Sequence, residues 1–330
     1  MFNFSSPLSA QQTLEVRDSK ELVYKGFKRA LRDGVPKKLA GILVDEEFGA
    51  AVLSDAKRRG FLTALCVEES GSEEFEFEYG ADFAHRIDVV DPTFAKVVVR
   101  YNPEGDPALD KRERARLKEL SSYCRQSGRR LIVELLAPAT EVQMRHANGD
   151  AAVYAREMRP GLLQRAIRVP QSAGVEPDVW AIEGLTLRGD CERIVEAARH
   201  DGRDSVGCMV LADAASDARM HAWLGTAAGV EGFIGFAVGR TVFWDAVAGH
   251  RARTLSRAAA VAQIAMRLRE WIDTFERARS ASRSQSAIRA RPRSCSCAGT
   301  TLAARLRRIH CWVFHFQFRI SGRSWPCSSM

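Results

Sequence analysis

No acidic residue occurs after Glu276, although eleven Arg follow it. Setting those eleven aside leaves 38 of the 49 Lys and Arg against 41 Asp and Glu in residues 1–276. The formal charge of +8 therefore belongs to the C-terminal end, and the bulk of the chain is mildly acidic. A basic whole-chain balance is then no argument for a nucleic-acid-binding body. No apolar run reaches the ~18 residues of a membrane span. Residues 1–20 have neither the basic start nor the apolar stretch of a secretory leader, so no membrane partner is expected and a cytoplasmic protein is. Cysteine pairs at zinc-binding separations are also missing. Cys295-Ser296-Cys297, with His310 and Cys311 beyond, is too tightly spaced, and no metal is expected. Cys66, Cys124, Cys191 and Cys208 sit in apolar or helical contexts and read as reduced, buried thiols.

What is present is a repeated alternation of apolar runs and amphipathic segments. Residues 10–33 carry helical periodicity, with Leu14, Val16, Leu22, Val23, Phe27, Ala30 and Leu31 as the apolar stripe. Strand-like runs follow at 40–45, 61–67, 94–101, 130–136, 178–182, 206–211 and 232–238, each trailed by a helical or amphipathic segment. Strands this apolar on both faces belong to a parallel sheet covered by helices. Seven such units over about 240 residues predict an α/β fold of the TIM (β/α)8 type, ordinarily ~250 residues long. A doubly wound open sheet is the alternative, but no G-x-G-x-x-G follows the first strand. A closed barrel wants eight strands and only seven can be counted, so the expected gap is the N-terminal strand. The expected organisation is a barrel over 1–279 and a basic Ser/Arg/Cys tail over 280–330, disordered or non-native. Its aromatic stretch, residues 311–318, has no evident strand partner. Arg interleaved with aromatics could form a nucleic-acid arm, a reading ranked below that of a solvated tail.

Several residues could carry chemistry. Strand alternation puts Lys96, Val98 and Arg100 on one face. A lysine inside a barrel is expected to have a depressed pKa, as an imine-forming or proton-transferring amine requires. Glu134, between Val133 and Leu135, is a candidate acid/base or the counter-ion of Lys96. Asp45 and Glu183 close their strands at the end where barrel active sites lie, and Leu211 and Ala212 close theirs as candidate substrate-lining positions. Gly239 and Arg240 end the last strand and open a helix, an arrangement that binds phosphate in many barrels. A tight turn with a surface arginine is the plainer reading of the same residues.

These segments together resemble a known family. Gly41-Ile42-Leu43-Val44-Asp45-Glu46-Glu47-Phe48-Gly49, Lys96-Val97-Val98-Val99-Arg100-Tyr101-Asn102-Pro103, Val133-Glu134-Leu135-Leu136, residues 177–184 and residues 232–243 are similar to the aldolase-like domain of inositol catabolism. That domain occurs alone or fused behind 5-dehydro-2-deoxygluconokinase, and is more distantly similar to class I tagatose bisphosphate aldolase. The resemblance implies a TIM barrel and cofactor-free Schiff-base cleavage of a phosphorylated keto-sugar or keto-sugar acid. Assembly into a homo-oligomer is compatible with it. By position, Lys96 matches an auxiliary pocket lysine, Glu134 an acid/base carboxylate, and Gly239-Arg240 a phosphate grip. Ala181 stands where the family's pattern places the Schiff-base lysine, and a methyl group cannot form an imine. Two expectations follow: an aldolase whose activity depends on Lys96, or a non-catalytic sugar-phosphate-binding barrel.

Overall fold

The computed structural model describes residues 8–289 except 70, 73 and 213–215, together with the backbone of 312–315. Helix α1 (Ala10–Arg32) starts at a capping box in which Ser9 and Gln12 satisfy each other's backbone N–H groups. It buries Val16, Lys20, Val23, Phe27 and Ala30. Leu14, expected in that stripe, is 59% exposed. It stands two residues from Val16, about 200° around the helix, and so lies on the opposite face.

Strand and helix then alternate. They run β1 (Ala40–Val44), α2 (Glu46–Arg58), β2 (Leu62–Cys66), α3 (Phe83–Val90), β3 (Phe94–Arg100), α4 (Pro107–Gln126) and β4 (Arg130–Leu136). After β4 come the short helices α5 (Glu141–His146) and α6 (Ala151–Val153), a π turn at Tyr154–Met158 and α7 (Arg159–Ser172). The chain continues through β5 (Val179–Glu183), α8 (Arg188–Ala198), β6 (Gly207–Ala212), α9 (Asp217–Ala228), β7 (Phe233–Val238), α10 (Arg240–Arg251) and α11 (Arg257–Arg289). Neighbouring strands pair in parallel from β1 to β7, which is the predicted TIM-type alternation of seven strands.

The seam between β7 and β1 is filled. A short strand β8 (Trp312–His315) pairs in parallel with Ala40, Gly41, Ile42 and Leu43 on one side and with Phe236, Ala237 and Val238 on the other, closing the barrel. The place expected to stand open is thus taken by residues of the C-terminal aromatic stretch. Helix α11 runs past the 279/280 division to Arg289. Cys295, Cys297, His310, Cys311 and Cys327 lie outside the described residues.

Alternation sorts the side chains into two cores. Odd positions of β3 and β4 (Ala95, Val97, Val99, Leu131, Val133, Leu135) face the helices, while Phe94 and Ile132 join Leu43, Ala64, Cys66, Val179, Ala181, Met209, Leu211 and Ala237 inside the barrel. An extra residue on β7 at the Cys208/Met209 register shift brings Ile234 and Ala237 to the interior alike. Helices α1 and α11 meet at Gly26, where a Cβ would fall 2.4 Å from Ile264 Cγ2, so only glycine allows the contact. No helix among the described residues is long and apolar enough to cross a membrane.

Candidate functional site

The polar core of the barrel is contributed by three consecutive strands. Lys96, fully buried on β3, places its Nζ 2.8 Å from Glu68 Oε1 and 3.0 Å from Glu134 Oε2. The inward face of β2 runs Leu62, Ala64, Cys66 and, two residues on, Glu68. Glu134 takes the corresponding inward place on β4, between the outward Val133 and Leu135. Cys66 Sγ lies 4.0 Å from the ammonium, and burial pushes its thiol well above the usual cysteine range. This thiol is neutral and inert near neutral pH.

The electrostatics of Lys96 run opposite to the sequence expectation. Burial alone would lower its pKa, but the groups facing it, Cys66 first and then Glu134 and Glu68, outweigh burial and hold the ammonium well above the ordinary lysine range. Two carboxylates and a thiol surround one cation. Glu68 was the missing member. Its Oε2 is buried with no hydrogen-bond partner among the described residues, so the cluster is rich in acceptors.

Ala181 lies beside this cluster. It is buried in the barrel interior, in register with Glu134 on one side and Met209 on the other. Beyond it, Met209, Leu211 and Ala237 make the β6–β7 side of the interior apolar. Leu211 faces inward as a lining residue must, whereas the Ala212 side chain packs in the outer core against the helices. What Ala212 offers is its carbonyl, which accepts a hydrogen bond from Thr241 Oγ1 at 3.1 Å.

Asp45 and Glu183 have structural partners. Asp45 is the N-cap of α2, accepting the Phe48 N–H at 2.9 Å, and it forms an ion pair with Lys20. Lys20 escaped the sequence reading because it stands within the apolar stripe of α1, four residues after Val16. Glu183 pairs at 3.0 Å with Arg159, whose guanidinium also donates to the Gly184 carbonyl at 3.1 Å. Gly184 needs its bare Cα there, since a Cβ would lie 2.0 Å from the Trp223 ring. At the end of β7, Gly239 is the N-cap of α10 and Arg240, half-buried, its first residue. The start of α10 thus lies directly after β7, at the strand end where an anion would meet the positive end of a helix.

A family model described as an uncharacterized protein conserved in bacteria (DUF2090) matches residues 7–279. The chain belongs to this family. No curated protein matches it. The DUF2090 match spans every strand from β1 to β7 and all the residues of the Lys96 cluster, and stops short of β8.

Proposed function

We propose that this DUF2090 chain is an aldolase-type barrel, of the class I kind by ancestry, that holds a phosphorylated keto-sugar or keto-sugar acid without forming an imine. One observation carries the reading. Among the described residues, the lysine seated in the cluster is an ammonium bound by two carboxylates, and the register position beside Glu134 is an alanine. Imine formation needs a neutral amine with a free lone pair, and a lysine whose ammonium is favoured this strongly offers almost none at neutral pH. These two features favour the binding reading over the Schiff-base one that accompanies the resemblance to the aldolase-like domain of inositol catabolism. The charged cluster remains suited to binding, because Lys96 can donate to a carbonyl or hydroxyl while Glu68 and Glu134 accept from hydroxyls. A phosphate group at the start of α10, beside Arg240, would complete the grip.

Calorimetric titration with phosphorylated ketoses tests this, paired with borohydride reduction of the same mixtures. Saturable binding, weakened at least about tenfold by Arg240→Ala, with no reduced adduct on any lysine, is the expected result. A borohydride-trapped adduct at Lys96 would overturn the binder and restore an aldolase that works through this lysine.

A further inference from the structure

A second buried carboxylate lies outside the barrel, where nothing in the proposed function calls for it. Glu113, on α4, is fully buried. Its Oε1 accepts the backbone N–H of Phe75 at 3.1 Å, and its Oε2 has no hydrogen-bond partner among the described residues. Phase by phase, residues 74–79 are tied to α4 and to the strand end that carries Glu68. Glu74 accepts from Arg112 at 2.9 and 3.0 Å and from Arg116, and Arg116 also reaches Glu76 at 2.6 Å. The rings continue the attachment: Phe75 meets Phe77 edge-on, Phe77 stacks on Phe83, and Phe83 meets Tyr123 of α4. On the other side, Glu76 O accepts from Glu69 N–H at 2.8 Å, Glu78 N–H donates to Val67 O at 3.0 Å, and Phe77 bridges Glu68 in antiparallel fashion.

Glu68 therefore sits between two attachments. Its side chain binds Lys96, and its backbone is held by the segment that Glu113 anchors. The geometry points to residues 74–79 as a strap that seats Glu68 on Lys96, with Glu113 as a pH-sensitive positioning residue that fastens the strap to α4.

The sign follows from the surroundings of Glu113. Burial pushes its carboxyl up to about 7, against the lowering effect of the Phe75 N–H. Glu74 on the strap and Asp110 on the same helix act in the same direction as burial, while Arg100 on β3 opposes them. Tyr101, after β3, also faces Asp110 and Glu113, and Arg112 and Arg116 are engaged by Glu74. A carboxyl raised from 4.5 to about 7 binds its proton more tightly with the strap fastened than with it open. Fastening is then fully favoured below about pH 4.5, weakens as pH rises, and levels off above about pH 7. Glu78, pushed up to about 7 by burial and by Asp45, Glu68, Glu47 and Glu46, titrates in the same range and must be separated from Glu113.

The test is amide hydrogen exchange across residues 74–79 in the full chain, corrected for intrinsic rates, from pH 5.5 to 8.5. In the wild type, protection is expected to fall by about tenfold or more up to pH 7.5 and then level off. Glu113→Gln keeps an acceptor for Phe75 and cannot ionise, so its protection should fall at least about threefold less than the wild type's over the same range, any remainder being that of Glu78. Glu78→Gln should retain the part of the fall that belongs to Glu113, about tenfold or more. Reductive methylation of Lys96, followed by mass mapping, should rise with strap opening in the wild type relative to Glu113→Gln, which a merely structural role would not produce. A flat profile in the wild type overturns the proposal even if a variant fails to fold. A pH profile that persists undiminished in Glu113→Gln, or that disappears in Glu78→Gln, overturns it as well.

Discussion

The two sides of the barrel interior differ sharply. From β2 to β4 it holds Glu68, Lys96 and Glu134 in contact, with the Cys66 thiol alongside. From β5 to β7 it holds Ala181, Met209, Leu211 and Ala237, with no charge among the described residues until Glu183 at the rim. The polar side supplies its own counter-charges, two carboxylates to one ammonium. Among the described residues the apolar side supplies no second amine. The proposed binding role rests on this contrast: a fixed pattern of donors and acceptors on one side and apolar packing on the other.

Variants can break or sharpen that contrast. Met209→Lys would bury an ammonium on the apolar side with no carboxylate opposite, at a cost of about 5 kcal/mol or more, or a lysine pKa driven far down. Chemical denaturation would measure the loss. Lys96→Met should cost about 3–5 kcal/mol by the same measurement, because it leaves Glu68 and Glu134 facing each other without their cation. Ala181→Lys is expected to cost only about 1–3 kcal/mol, mostly from overpacking, because Glu134 stands in register to receive the new ammonium. Equal costs for lysine at 181 and 209 would show that the two sides do not differ electrostatically. The smallest effect belongs to the rim, where Glu183→Gln should cost about 1 kcal/mol or less, its partner Arg159 keeping the Gly184 carbonyl.

Much of this arrangement was legible in the sequence, and the limits have physical causes. Period-two alternation identifies Lys96 and Glu134 as inward, and applied to Leu62, Ala64 and Cys66 it reaches Glu68 as well. What alternation cannot show is that Glu68 and Glu134 converge on one ammonium, since this depends on the stagger between strands. The expected direction of the Lys96 shift was wrong for that reason. Lys20 is a similar case: a lysine inside an apolar stripe reads as an interruption until Asp45 is seen to meet it across 25 residues. Strand β8 was hidden because its partners, β1 and β7, are its neighbours in space and lie far from it along the chain. Local pattern carries no information about pairing at that separation.

The charge state of Lys96 decides between an amine that can attack and an ammonium that can only bind. Nitrogen-15 NMR of lysine-labelled protein reads it directly, with the Lys96 Nζ signal assigned by its loss in Lys96→Met. The Glu68–Lys96–Glu134 cluster predicts a slowly exchanging NH3+ that persists to about pH 10. A Lys96 signal that titrates to the neutral amine near pH 7–8 would contradict the account and return the barrel to imine chemistry.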